Sequence, residues 1–111
     1  MRLAITALSL AMLTIPSAAK TGILDLGTGT ESCAAWLATP YSESAGTSWI
    51  LGFWTGANWG TQMGGGSGDV GSTTDNLGII GEVKKRCMNS PSNNIANTAA
   101  DVFGEFVKAR K

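Results

Sequence analysis

The sequence predicts an all-α domain, a small bundle of about four helices closed by one disulfide, and three observations carry that expectation. Apolar residues recur at helical spacing in the segments around Trp36, Trp49, Val83 and Val102. Pro, Gly, Ser and Asn cluster between those segments, where a helical chain turns. The two cysteines of the 111-residue chain, Cys33 and Cys87, fall on two different predicted helices.

The first nineteen residues are set apart from this frame. Met1-Arg2 supplies a charge, Leu3 to Ile15 is an uncharged and mostly apolar run, and Pro16 precedes Ser17-Ala18-Ala19. That order is the pattern of an export signal, with cleavage expected after Ala19. The run is shorter than the roughly 20 residues a membrane-spanning helix needs, so no stable membrane anchor is expected. The mature chain is then a single domain, residues 20–111, in a periplasmic or secreted location.

Removal of Arg2 takes the formal charge from zero to −1, which leaves no long-range basic field to gather nucleic acid or anionic lipid. Lys84-Lys85-Arg86 is the one basic cluster. Three adjacent residues point around a helix rather than along one face, and cations suit the C-terminal turn of a helix. In an oxidising compartment a lone pair of cysteines is most simply a bridge. The chain has no histidine and no C-x-x-C spacing, so a cysteine-based zinc site would lack half its ligands, and no metal or other cofactor is expected. A closed loop of this length stabilises by about 4 kcal/mol in the chain-entropy model.

Along the mature chain, residues 20–30 read as an extended arm whose Ile23, Leu24 and Leu26 could pin it to the core. Thr28 or Thr30 caps a short helix over 31–39, with Cys33, Trp36 and Leu37 on one face, and Pro40 ends it. After a turn over 40–44, residues 45–59 are apolar almost all round, as in a central helix buried by its neighbours. Their apolar positions do not alternate with polar ones, which argues against a strand. Gly52 and Gly56 would offer a smooth strip to a neighbouring helix. Residues 60–73 are so rich in glycine that a mobile loop is expected. Thr74 or Asp75 caps a helix over 76–88 with Leu77, Ile80, Val83 and Cys87 inward, so that the first and third helices share the bridge. After the turn at Asn89-Ser90-Pro91-Ser92, the last helix runs from about Asn93 to Ala109 with Ile95, Ala99, Val102, Phe103, Phe106 and Val107 as its stripe.

Catalytic machinery is not legible. The commonest general base at neutral pH is missing with histidine, and the cysteines are committed to the bridge. No G-x-S-x-G elbow occurs, and the glycine-rich stretch lacks the Lys-Ser/Thr ending of a phosphate loop. GGGSGD around Asp69 has neither the spacing nor the repetition of calcium-binding nonapeptides, and one carboxylate cannot fill a calcium shell. The carboxylates of Asp75 and Glu82, and of Asp101 and Glu105, read as solvated helix faces. These features point away from an enzyme. Four tryptophans in a domain this small cannot all be fully buried. Trp49, Phe53, Trp54 and Trp59 are the candidates for contact with a partner, and Trp59 is the one expected at the surface.

C-x-x-W-L-A at Cys33 to Ala38, W-I-L-G-F-W-T-G-A-N at Trp49 to Asn58, D-N-L-G-I-I-G-E-V-K-K-R-C at Asp75 to Cys87, a Ser-Pro turn and an amphipathic last helix follow the export signal in order. Together they resemble the HdeA/HdeB group of small periplasmic helical proteins. They are similar also to a set of short exported bacterial proteins that share G-F-x-x-G-x-N and C-x-x-x-P, here Cys87 to Pro91. The first resemblance implies an all-helical fold with a bridge between the first and third helices. For the acid-stress members it implies a chaperone, in which protonation of carboxylates separates a homodimer and exposed apolar surface holds unfolded clients. Only 14% of this chain is charged, which supplies fewer titratable triggers than that mechanism uses. Two functions are therefore expected in parallel: a non-enzymatic periplasmic binding or chaperone-like protein with unfolded clients, or a dedicated binder of one protein partner, such as an immunity protein against a periplasm-directed toxin.

Overall fold

The computed structural model describes residues 22–111; the expected export signal and its cleavage site lie outside them. The described residues form a 3-10 turn, Gly27–Thr30, and four α-helices: α1 (Cys33–Trp36), α2 (Pro40–Met63), α3 (Asn76–Asn89) and α4 (Ile95–Ala109). The domain is an all-helical bundle, as expected, and the one extended pairing among the described residues is an isolated bridge between Ser32 and Asn94.

Cys33 and Cys87 are joined, with their Cα atoms 5.1 Å apart, and both are buried. The bridge ties α1 to α3. α1 has a single turn and begins two residues later than expected, because Ser32 accepts from Ala35 N and caps it in place of Thr28 or Thr30. Its position is held from outside itself: Cys33 N donates to Asn93 O, Ala34 N to Pro91 O, and Ile95 N to Glu31 O. Trp36, fully buried, closes this corner of the core and donates its indole N–H to Glu43 O at 2.9 Å.

The largest departure from expectation is at Pro40. This residue does not sit in a turn after α1; it opens α2 at the first helical position, where its missing N–H costs nothing. Thr39 caps the helix through Ser42 N, and the Ser42 hydroxyl answers Thr39 N, a reciprocal capping box. α2 therefore gains a turn before Ala45 and another beyond Trp59, and runs for 24 residues. It is central but not enclosed. Gly46, Ile50 and Trp54 are buried at i, i+4, i+8 against α1, α3 and α4, whereas Ser48, Gly52, Gly56 and Trp59 face out.

Gly52 and Gly56 accordingly pack against nothing: a β-carbon at either would meet no atom within 4 Å. The close approach is made by Gly46, where a β-carbon would overlap the indole of Trp36. In α3, Asp75 caps through Gly78 N and Ile80, Val83 and Cys87 point inward. Leu77 does not, being 82% exposed, and Ile79 is buried in its place. Leu77 lies on the far side of Ile80 from Val83, so the buried stripe of α3 turns toward Ile79. α4 starts at Ile95 behind an Asn94 cap and buries the expected stripe except for Val107, which sits at its edge. Thr98, buried and polar, donates to Asn94 O at 2.8 Å, accepts from Asn93 Nδ2 and lies 3.4 Å from Cys33 Sγ.

Ile23, Leu24 and Leu26 are all exposed, so the arm is not pinned by its apolar side chains. It is held through its backbone, with Leu26 O accepting from Trp49 Nε1 and Gly29 lying directly on the Trp49 ring.

Two outcomes follow for stability. Gly46→Ala must displace Trp36 and is expected to cost about 1–3 kcal/mol, in the range of overpacked cores, whereas Gly52→Ala and Gly56→Ala should each stabilise by roughly 0.5–1 kcal/mol as exposed helix-interior glycines; urea unfolding of the three variants checks the contrast. Cys33→Ser with Cys87→Ser should lower stability by about 4 kcal/mol, read as a fall in the denaturation midpoint equal to that of the reduced wild type.

Candidate functional site

The four aromatic candidates divide into a seam and an outlier. Trp49 and Phe53 stack, with ring centroids 5.6 Å apart and planes 8° from parallel. Phe53 meets the edge of Phe103, and Trp54 packs edge-on against Phe103 and Phe106 at 5.1 and 5.2 Å. This arrangement joins α2 to α4 by the favoured geometry of aromatic pairs. Trp54 is 4% exposed and belongs to the core, which removes it from the partner-facing candidates. Trp49 and Phe53 are half-buried, and Trp49 is further covered by the 3-10 turn. Trp59 stands alone at 64% exposure, although it lies a turn before the end of α2 and not at the end as expected.

The indole N–H groups show the same division. Those of Trp36, Trp49 and Trp54 donate to Glu43 O, Leu26 O and Val70 O respectively. Trp59 Nε1 has no partner among the described residues.

What lies beside Trp59 is decided by the glycine-rich segment, and here the structure differs from a mobile connector beginning at Gly60. Residues 60–63 are helical, and the remainder folds back along α2. Asn58 grips Val70 by both amide groups: its Nδ2 donates to Val70 O at 3.0 Å, and Val70 N donates to its Oδ1 at 2.9 Å. Trp54 Nε1 donates to the same carbonyl at 2.8 Å. At the next residue, Gly71 N donates to Lys111 O, just beyond the end of α4. Gly71 adopts φ +94° and lies so close to the Trp54 indole that a β-carbon would stand 2.9 Å from Nε1; both features call for glycine. Sequence reasoning missed Asn58 as the organising residue, since an isolated Asn in a helix carries no signal of a partner twelve residues away.

The clamp leaves two adjoining clefts along the α2 surface, of about 250 and 270 Å3. Thr55 and Asn58 line both. Trp59, Gln62 and Gly68 complete the first, and the loop residues Asp69 to Ser72 with the start of α3 complete the second. Neither is lined by Lys or Arg.

The basic cluster is split as its spacing implied. Lys84 pairs with Glu43 on α2, and Arg86 pairs with Glu105 on α4. The hydrogen bond that Arg86 donates to Glu105, and then the charge of that carboxylate, raise the Arg86 pKa above its ordinary value. Both pairs are at the surface, where such contacts contribute about 0–1 kcal/mol each. No group of three or more Cys, Asp or Glu side chains that could hold a metal ion occurs among the described residues. No helix among them is long and apolar enough to cross a membrane.

The chain matches no family profile, no curated protein and no solved structure. Its site is therefore read from its own geometry.

Asn58→Ala removes both bonds to Val70 and leaves Val70 N without its acceptor, while Val70 O keeps the indole N–H of Trp54. A loss of about 1–3 kcal/mol is expected, together with faster amide hydrogen exchange at Val70 and Gly71, while exchange in α3 and α4 follows only the global change.

Proposed function

We propose that the chain is a non-enzymatic binding protein that acts in the periplasm after export by residues 1–19, with the loop-side end of α2 around Trp59 as its recognition surface. The observation that carries this reading is the exposed Trp59 indole on a helix fixed to the core, beside clefts built by the Asn58–Val70 clamp. Tryptophan is the side chain that most often dominates the energy of a binding surface. A buried disulfide is consistent with a location outside the cytoplasm. The HdeA/HdeB-like order of motifs supports the same compartment.

The surface is present in the closed, bridged state. That favours a standing recognition site over one uncovered by acid. Protonation of Glu43 and Glu105 would remove two surface ion pairs of small worth. The bridge, Trp36 and the Phe103–Phe106 seam contain no titratable group, so acid has little purchase on the core. An acid-triggered chaperone would need a larger charge-dependent contact than these.

The expected outcome is a native near-UV circular dichroism spectrum at both pH 7 and pH 3, and retention of the same envelope material on the immobilised domain at both values. Trp59→Ala should abolish that retention without changing the fold. Loss of the near-UV signal at pH 3, with suppression of client aggregation appearing only there, would transfer the protein to the acid-chaperone class.

A further inference from the structure

Deepening that reading of the Trp59 surface, on which it rests, we propose that the paired clefts bind a short neutral saccharide. Three features of the groove agree on that chemistry. The first is an exposed indole, whose electron-rich face attracts the C–H groups of a pyranose ring polarised by its oxygens. Trp59 lines the first cleft together with Thr55, Asn58, Gln62 and Gly68, and no aliphatic side chain shares that lining.

The second feature is the supply of uncommitted hydrogen-bonding groups. Gln62 makes no side-chain bond among the described residues, and Trp59 Nε1 makes none. Thr55 donates to Leu51 O at 3.0 Å, which leaves its oxygen free to accept. In the adjoining cleft Asp69 uses Oδ1 toward Ser67 and has its second oxygen to offer. Amides, hydroxyls and a carboxylate along one pair of clefts match the mixed donors and acceptors of sugar hydroxyls.

The third is charge. Without Lys or Arg in the lining, a phosphate, sulfate or carboxylate would enter opposite Asp69 and Asp75 with no counterion, so anionic ligands are disfavoured and neutral ones fit. Thr55 and Asn58, shared by the two clefts, make the groove continuous enough for more than one ring. Asn58 holds the far wall in place by gripping Val70, which makes it a positioning residue for the site and no direct test of it.

The test is a titration of isotope-labelled, disulfide-bonded protein with two neutral probes, cellotetraose and triacetylchitotriose, and with a sulfated disaccharide as the anionic control. The four indole N–H resonances supply the readout. A saturable shift of the Trp59 indole and the Gln62 side-chain amide with at least one neutral probe, and none with the sulfated one, is the expected result. Trp59→Ala and Gln62→Ala, both at exposed positions, should each weaken binding, the first at least tenfold. The proposal is overturned if neither neutral probe shifts Trp59, if the sulfated sugar binds as well, or if Trp59→Ala binds equally. Failure of the sugars with envelope material still retained through Trp59 removes the saccharide alone; failure of that retention as well removes the binding surface itself.

Discussion

The covalent link between Cys33 and Cys87 is the constraint on which the other contacts depend. α1 is one turn long, and a helix that short has no stability of its own in water. It exists because the bridge fastens its first residue to α3 and because the chain around it is stitched to residues 91–95 by backbone hydrogen bonds. That placement delivers Trp36 to the interior. Trp36 in turn lies on Gly46 and donates to Glu43 O, so the start of α2 is set by the same corner. The bridge thus orients three helices through one indole, and α4 fills the space that remains with its aromatic stripe.

From that corner, order passes along α2 to its far end. Ile50 and Trp54 follow Gly46 on one buried line, and Trp54 sends its N–H out of the core to Val70 O. Asn58, one turn later, completes the grip with two more hydrogen bonds. A glycine-rich segment is given walls by these three bonds, since its own side chains could not provide them. Fixed backbone at the surface of a helix is what makes a groove, and Trp59 stands at its rim because the line of buried positions has already rotated past it.

Much of the bundle was legible because helical periodicity and capping are local signals. A cap at Thr74 or Asp75, the stripe of α4 apart from Val107, and the pairing of Cys33 with Cys87 need no knowledge of the fold. The role of Pro40 is not legible for a physical reason: proline is compatible both with the end of one helix and with the first position of the next, and the Thr39–Ser42 capping box that decides between them is a geometry before it is a motif. Gly52 and Gly56 looked like a packing surface because spacing shows which residues share a face but not which face is buried; Gly46 differs from them only in having Trp36 opposite. Leu77 and Ile79 show the same gap, where one turn of α3 contains two apolar residues and the tertiary contact selects between them. Of the site, the exposure of Trp59 could be read from its place at the end of an apolar run, whereas the Asn58 clamp could not, because its partner is a backbone group with no identity in the sequence.

The balance between charge and aromatic contact also bears on how such a domain responds to its surroundings. The two ion pairs join neighbouring helices at the surface, and each faces the screening of water and salt. The contacts that join α2 to α4 are aromatic edges and faces, indifferent to pH between the carboxylate and amine ranges. A bundle held in this way depends little on pH or salt for its shape, and a groove on its surface keeps its geometry with it. A domain closed by a bridge and an aromatic seam is joined mainly by contacts that carry no charge, and the clefts held open by its clamped loop are likewise lined without Lys or Arg.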